Sequence, residues 1–493
     1  MKKHIQALVF VLPALFALGA CSANPATGKQ SFTAFMSPEK EIQVGSEEHP
    51  KIVKSMGGEF GDRALAAYVR DLGLKLAKTS EKPDLPWTFT VLNDTQVNAF
   101  ALPGGYIYVT RGLLALASDE AELAGVLSHE IGHVTARHTA QRYSSTMAAN
   151  IGVQIVGVLS QAAGLGSAGG QIASLGANVA LMSYSREQEL ESDMLGVRYM
   201  RHLGYDSQAL ISFFAKLRTH QGIEAKEKGL DENTADKSNI LATHPRTADR
   251  ITQAITLSDT QGEGSVRRGA DEYFNHIDGL VFGDDPDQGL VRGRVFTHPG
   301  IKLRFEVPDG FTIKNLPDIV IATDKSGAII KFAGATPKEV QDAGGMEKFL
   351  VRKWGGNVDR NSIEWLDING MKAVTSTSTE FDGKTNIEVR RILIEQDRDN
   401  YWRFQFEIPP KQSTRLNEGL RRTTYSLRPP TRAELRKAKP WRVRVVEIGP
   451  GVTTADMIAT MAMDDMKAEW FQALNNIKPG DTLTQGSKIK VIK

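Results

Sequence analysis

The stretch ASDEAELAGVLSHEIGHVTARH, Ala117 to His138, decides the reading of this chain. An α-helix turns once per 3.6 residues, so His129 and His133, four apart, share one face and can offer imidazole nitrogens to one cation. Glu130 is rotated by about 100° from His129 and lies beside that cation rather than on it. There it can take a proton from water that the cation acidifies and later pass it to a leaving amine. Ser118 and Asp119 are candidate caps, followed by acids in the first turn. Leu123, Val126, Leu127, Ile131 and Val134 form a core stripe. The competing reading, a chance HExxH on a surface helix, fits poorly with so apolar a setting.

A catalytic zinc takes three protein ligands and keeps a fourth position open. Candidates for the third lie in Ser185-Arg186-Glu187-Gln188-Glu189-Leu190-Glu191-Ser192-Asp193. Glu189 and Asp193 are again four apart. A helix presenting Glu189 to the metal can set Asp193 against an imidazole N–H, fixing that ring's tautomer. Glu187 and Glu191 are rivals, and a solvated acidic helix face is the alternative for the whole run.

HEIGH, the downstream ExxxD, the preceding NAFALPGGYIYVTRGLL and Thr243-His244-Pro245 together resemble the gluzincin peptidases of the HtpX, BepA and CAAX prenyl protease group. The resemblance covers about residues 38–257. It implies one Zn2+ held by His129, His133 and Glu189, with Glu130 as general base and Asp193 as the acid that orients a ligating imidazole. The family's usual ExxAD reads Glu-Leu-Glu-Ser-Asp here, with Ser192 in place of alanine. The resemblance also implies that the strand of Tyr106, Ile107 and Tyr108, running to Thr110, is an exposed sheet edge beside the zinc, where an extended peptide can add as a further strand. Asn98 and Ala99 would line the same cleft. In BepA-like members the matching His-Pro histidine can approach the zinc, so His244 is expected as a fourth metal ligand that shuts the site. Arg250 is expected to stabilise the oxyanion.

The N-terminus reads as an export signal. Lys2 and Lys3 precede the apolar run Ile5 to Ala20, which is too short for a comfortable membrane span and ends Leu18-Gly19-Ala20-Cys21. That ending resembles a bacterial lipobox, which implies cleavage before Cys21 and lipidation of it. Ser22 follows rather than Asp, which suggests the outer membrane. Several acyl chains anchor stably. Cys21 is the one cysteine of the chain, so internal disulfides and a Cys-rich zinc site are excluded. Sixty basic and 58 acidic residues leave a net charge of +2, too small for a nucleic-acid binder dominated by phosphate contacts. No charged residue occurs between Arg142 and Arg186; buried helices, a lid and a membrane hairpin are the readings in that order.

At 493 residues, with domains usually about 100–200 long, two to four domains are expected. The predicted order is a signal peptide (1–20), a tether (21–37), a zinc metallopeptidase domain (38–257), a linker (258–272), a β-rich α+β domain of unknown role (273–428), a linker (429–440) and a small module (441–493). The fold class is multidomain α+β: a mostly helical zincin-type domain with a small edge-strand sheet, the β-rich domain, then a βααβ unit. That last unit resembles a LysM module, in Leu474-Asn475 and Gln485-Gly486-Ser487-Lys488-Ile489. Its first turn, Gly449 to Thr453, departs from the usual GDTL. Peptidoglycan binding and a degenerate structural module therefore both stay open. The expected protein is a lipid-anchored periplasmic zinc endopeptidase acting on misfolded or misassembled envelope polypeptides. The alternatives are a non-catalytic envelope scaffold or chaperone with a silenced metal site, and a cell-wall lytic enzyme.

Overall fold

A computed structural model describes residues 21–148, 183–227, 244, 252, 256, 266–355 and 358–493. The chain is a mixed α/β protein that divides into two compact units, one formed by residues up to Phe282 together with Arg442–Lys493, the other by Gly283–Trp441. The uncharged stretch is described only at its two ends, and Arg250 lies outside the described residues.

The first unit begins with a hairpin of β1 (Cys21–Ala23) and β2 (Gln30–Phe32), then helices α1 (Pro38–Ser55) and α2 (Arg63–Ala77). Strands β3 (Thr88–Leu92), β4 (Ala99–Leu102) and β5 (Tyr106–Thr110) make a small sheet. Helices α3 (Arg111–Leu116), α4 (Glu120–Thr135), α5 (Arg186–His202), α6 (Ala209–Glu227) and α7 (Ala270–Ile277) follow, then β6 (Val281–Phe282). The unit is completed by β7 (Trp441–Glu447), α8 (Thr454–Ala459), α9 (Lys467–Asn475) and β8 (Lys488–Ile492).

Helix α4 starts where its caps predict. The Asp119 side chain accepts the Glu122 N–H at 2.8 Å, and Glu122 in return accepts the Ser118 N–H at 2.8 Å. Glu122 is buried against Lys216, which compensates its charge at 2.8 Å. All sixteen residues of α4 are buried, more than the single core stripe expected. Helices α2, α5 and α6 and strand β4 enclose it, so its polar face is interior as well. The chain leaves the helix through Arg137, in the left-handed region at φ 59°. Its guanidinium donates to Glu41 at 2.9 Å and to the Met36 carbonyl at 2.6 Å, tying this end of α4 to the start of α1.

Helices α4 and α5 meet at backbone distance. A Cβ on Gly132 would stand 2.8 Å from Ser192 Oγ and 3.0 Å from the Ser192 carbonyl oxygen; one on Gly196 would stand 3.2 Å from the His129 nitrogen. The Ser192 hydroxyl donates to the His129 carbonyl at 2.7 Å, a bond from helix to helix that an alanine at this position could not make.

The small sheet corrects one expectation. Strand β5 is its middle strand, parallel to β3 and antiparallel to β4. Tyr106, Ile107 and Tyr108 therefore do not form an exposed edge; Ile107 and Tyr108 are buried and the strand is paired on both sides. Gly104 and Gly105, at φ 84° and 97°, take the left-handed turn that folds β4 back onto β5, while β3 occupies the other side. The edge neighbouring α4 is β4, which begins directly after Asn98.

Two further segments differ from the sequence reading. Residues 21–37, read as a tether, contain the β1–β2 hairpin, and Asn24 and Thr27 of its turn hydrogen-bond Glu191. Residues 441–493 do show the strand, two helices and strand expected, yet Arg442–Lys493 belong to the first compact unit. Strand β7 lies between β8 and β6 in one sheet. Lys490 of β8 is fully buried, and its ammonium donates to the carbonyls of Ala115, Leu116 and Ala117 at 2.7, 2.9 and 2.5 Å, closing the C-terminal end of α3. The next residue, Ser118, donates its hydroxyl to the Leu474 carbonyl at 3.0 Å.

The second unit is β-rich, with bounds Gly283–Trp441 in place of the 273–428 expected, and the expected linker 429–440 carries a helix at Arg432–Lys437. Its seven-stranded antiparallel sheet runs in the order Thr312–Leu316, Ile319–Thr323, Ile329–Ala335, Tyr401–Ile408, Asn386–Glu395, Met371–Phe381, Glu364–Ile368. Phe305, Phe332, Phe404 and Leu420 are among its core residues. None of the groups of clustered metal-donor side chains among the described residues lies in it.

Because three interior carbonyls depend on one ammonium, Lys490→Met is expected to destabilise the first unit. Each acceptor left without a donor costs about 1–3 kcal/mol, so thermal unfolding followed by circular dichroism will show a clear fall in Tm. An unchanged Tm would mean that these bonds contribute nothing.

Candidate metal centre

Four donor residues from three places in the chain converge: His129 and His133 on α4, Glu189 on α5, and His244. One ligand atom of each lies within 4.8 Å of every other, and all four side chains are buried. His133 Nε2 is 3.0 Å from His129 Nε2 and 3.3 Å from Glu189 Oε1. His129 Nε2 is 3.7 Å from Glu189 Oε2 and 3.4 Å from His244 Nδ1. His244 Nδ1 is 2.8 Å from Glu189 Oε1.

These spacings test whether a metal fits. Ligands about 2.0–2.1 Å from a tetrahedral zinc are about 3.3 Å from each other, and the observed separations scatter around that value. The tautomers agree. His129 Nδ1 is 2.8 Å from Asp193 Oδ1, so that nitrogen carries the proton and Nε2 presents its lone pair. His133 Nδ1 faces His138 Nδ1 at 2.8 Å, which frees His133 Nε2 in the same way. Two lone pairs and a carboxylate aimed at one point repel unless a cation sits between them. Burial holds His133 well below its ordinary pKa, so it is neutral and able to ligate. Burial also works to raise Glu189, but His244, His133 and His129 outweigh it and hold the carboxyl well below its usual range. The donor set suits a divalent cation that accepts nitrogen and oxygen ligands.

Glu130 is fully buried next to the cluster but outside it, with Oε1 3.8 Å from His244 Nε2. The two helix faces predicted from the sequence thus come together: His129 with His133, and Glu189 with Asp193. Of the two rival acids, Glu187 is exposed and Glu191 turns to His138 at 3.0 Å instead of to the donors. Tyr106 and Tyr108 pack on His49 of α1, with ring centroids 5.1 and 5.7 Å away, and the Tyr108 hydroxyl is 2.7 Å from His49 Nδ1. Asn98 precedes β4, and its side-chain oxygen is buried with no hydrogen-bond partner among the described residues. Cys21 stands opposite Phe32 in the β1–β2 hairpin.

Three neighbours of the site were not legible in the sequence. His138 supports His133 from beyond the end of α4, where helical periodicity no longer relates the two. The Tyr184 ring stacks on His133 with centroids 3.7 Å apart, and the Arg142 guanidinium lies 3.6 Å from the centroid of Tyr184. Arg142 bounds the uncharged stretch and Tyr184 lies near its other end, and nothing local in sequence points them at a histidine.

Removing the carboxylate behind His129 frees that ring to turn or change tautomer. Asp193→Ala is expected to weaken metal binding by about 10–100-fold, measured by competition with a chromogenic chelator. Wild-type affinity in this variant would exclude Asp193 from supporting the ligand.

The chain is 32% identical to the putative beta-barrel assembly-enhancing protease of Vibrio cholerae serotype O1 over 44% of this chain and 43% of that one. It is 26% identical to the beta-barrel assembly-enhancing protease of Escherichia coli K12 over 48% and 47%, and 28% identical to the mitochondrial metalloendopeptidase OMA1 of Schizosaccharomyces pombe over 45% and 62%. The matched region thus spans less than half the length of the two bacterial relatives. Residues 63–257, which include all four donors, match the model of peptidase family M48.

Proposed function

We propose that this chain is a zinc-dependent endopeptidase that hydrolyses peptide bonds of misfolded or misassembled cell-envelope polypeptides. The observation that carries this reading is the convergence of His129, His133 and Glu189 with Glu130 beside them. The M48 match supports the reaction class, and the similarity to bacterial beta-barrel assembly-enhancing proteases supports the envelope as its place.

His129, His133 and Glu189 would hold the zinc, which would supply Lewis-acid chemistry, polarising the scissile carbonyl and acidifying the attacking water. Glu130 takes the proton of that water as its oxygen adds to the carbonyl carbon. It then returns the proton to the amide nitrogen as the C–N bond breaks, so no acyl-enzyme forms. Burial of Glu130 keeps bulk water from competing for that transfer. A substrate segment adding to the small sheet would pair with β4, not with the central β5. The unsatisfied Asn98 oxygen at the head of β4 is suited to a substrate N–H. Arg250 remains the proposed oxyanion partner.

His244 is proposed as the fourth ligand and as a gate, because its Nδ1 sits within the donor cluster, where water would otherwise stand. Lipidation of Cys21 and attachment to the periplasmic face of the outer membrane are proposed from the sequence; among the described residues no helix is long and apolar enough to cross a membrane. For the LysM-like segment, the buried Lys490 contacts favour a structural role over peptidoglycan binding.

Glu130→Gln should retain its metal and lose casein hydrolysis by at least about 10²-fold. Equal activity in both forms would contradict the general-base role. His244→Ala should raise turnover of the zinc-loaded protein and weaken its hold on zinc. A variant that changes neither would remove the gate from the account.

A further inference from the structure

Resting on the reading of His133 as a metal ligand, we propose that His138, Glu191 and the turn Asn24–Thr27 form the outer support of the metal centre. The chain directly after Cys21 is then part of the site and not a passive leader.

His133 directs Nε2 at the donor cluster, so its proton is on Nδ1. That nitrogen lies 2.8 Å from His138 Nδ1, which must therefore accept and be unprotonated. The proton of His138 is then on Nε2, 3.0 Å from Glu191 Oε2. The other oxygen of Glu191 accepts from Asn24 Nδ2 at 3.1 Å and from the Thr27 hydroxyl at 2.5 Å. Every donor in this chain meets an acceptor under one assignment of protons. The opposite assignment at His138 sets two N–H groups face to face and leaves Glu191 Oε2 facing an unprotonated His138 Nε2.

The two ligating imidazoles are thus held differently. His129 meets a carboxylate directly, from Asp193, on the helix that also supplies Glu189. His133 meets a second imidazole that is itself held by a carboxylate, and that carboxylate is gripped by the N-terminal turn. The turn is built for the purpose. Asn24 is buried, its Oδ1 accepts the Ala26 N–H at 2.9 Å, and its backbone bonds Lys29 and Gly28 at 2.7 and 2.8 Å, so its amide nitrogen is aimed at Glu191. Asn24 is three residues beyond Cys21, so about 10 Å of extended chain at most separates the two.

His138, Glu191, Asn24 and Thr27 are positioning residues, and the test reads metal affinity and tautomer instead of turnover. The full mature chain, stripped of metal, is titrated with zinc against a chelator. Glu191→Ala and His138→Phe should each weaken zinc binding by about 10–100-fold. Glu191→Gln, which keeps an acceptor oxygen for His138, should recover part of that loss. The double change Asn24→Ala and Thr27→Val, at the surface end, should weaken zinc by a smaller factor with the fold intact by circular dichroism. In 15N-labelled wild-type protein with zinc, long-range N–H correlations should find His133 protonated at Nδ1 and His138 at Nε2. Wild-type affinity in both Glu191→Ala and His138→Phe, or a proton on His138 Nδ1, overturns the relay while leaving the metal site standing. A wild-type chain that binds no zinc at all removes the site, and the relay with it.

Discussion

The site depends on the close crossing of α4 and α5. Gly132 and Gly196 let the two backbones approach until a methyl group would collide, and Ser192 bonds the His129 carbonyl across the gap. At that spacing a carboxylate on one helix reaches two imidazoles on the other. Move the helices apart by the size of a methyl group and Glu189 no longer stands about 3.3 Å from His133. The glycine in HEIGH is therefore as much a part of the centre as the histidines, although it binds nothing.

Burying so many polar groups is costly unless each is answered. In this interior Asp193 answers His129, His138 and Glu191 answer His133, and Lys216 answers Glu122. Lys490 answers the carbonyls just before the helix cap. Several of these partners lie far away in sequence: the N-terminal turn reaches Glu191, and β8 near the C-terminus reaches α3. A helix that is buried on all sides and carries reactive residues needs such remote support, because its own neighbours in sequence face the core with it.

This explains what the sequence could reveal. Helical spacing alone pairs His129 with His133 and Glu189 with Asp193, and cap chemistry alone starts α4 at Asp119, because those relations are local. The position of a short strand within a sheet is not local. Tyr106 to Thr110 reads the same whether central or at an edge, and only the pairing with β3 and β4 settles it. Lys490 misleads in a similar way. It sits on the same strand face as the exposed Lys488, so alternation assigns it to solvent, while its three acceptors lie more than 370 residues earlier. Glu191 reads as one more charge on a solvated helix face until His138 and Asn24 are seen against it.

The central claim is that two imidazoles and one carboxylate from crossing helices hold a single cation. X-ray absorption at the zinc edge of the purified protein tests it most directly. The account predicts one zinc per chain in a shell of nitrogen and oxygen only, three or four protein ligands at about 2.0–2.1 Å, with an imidazole signature that diminishes in His133→Ala. Substoichiometric metal, or a wild-type spectrum without imidazole scattering, would contradict it.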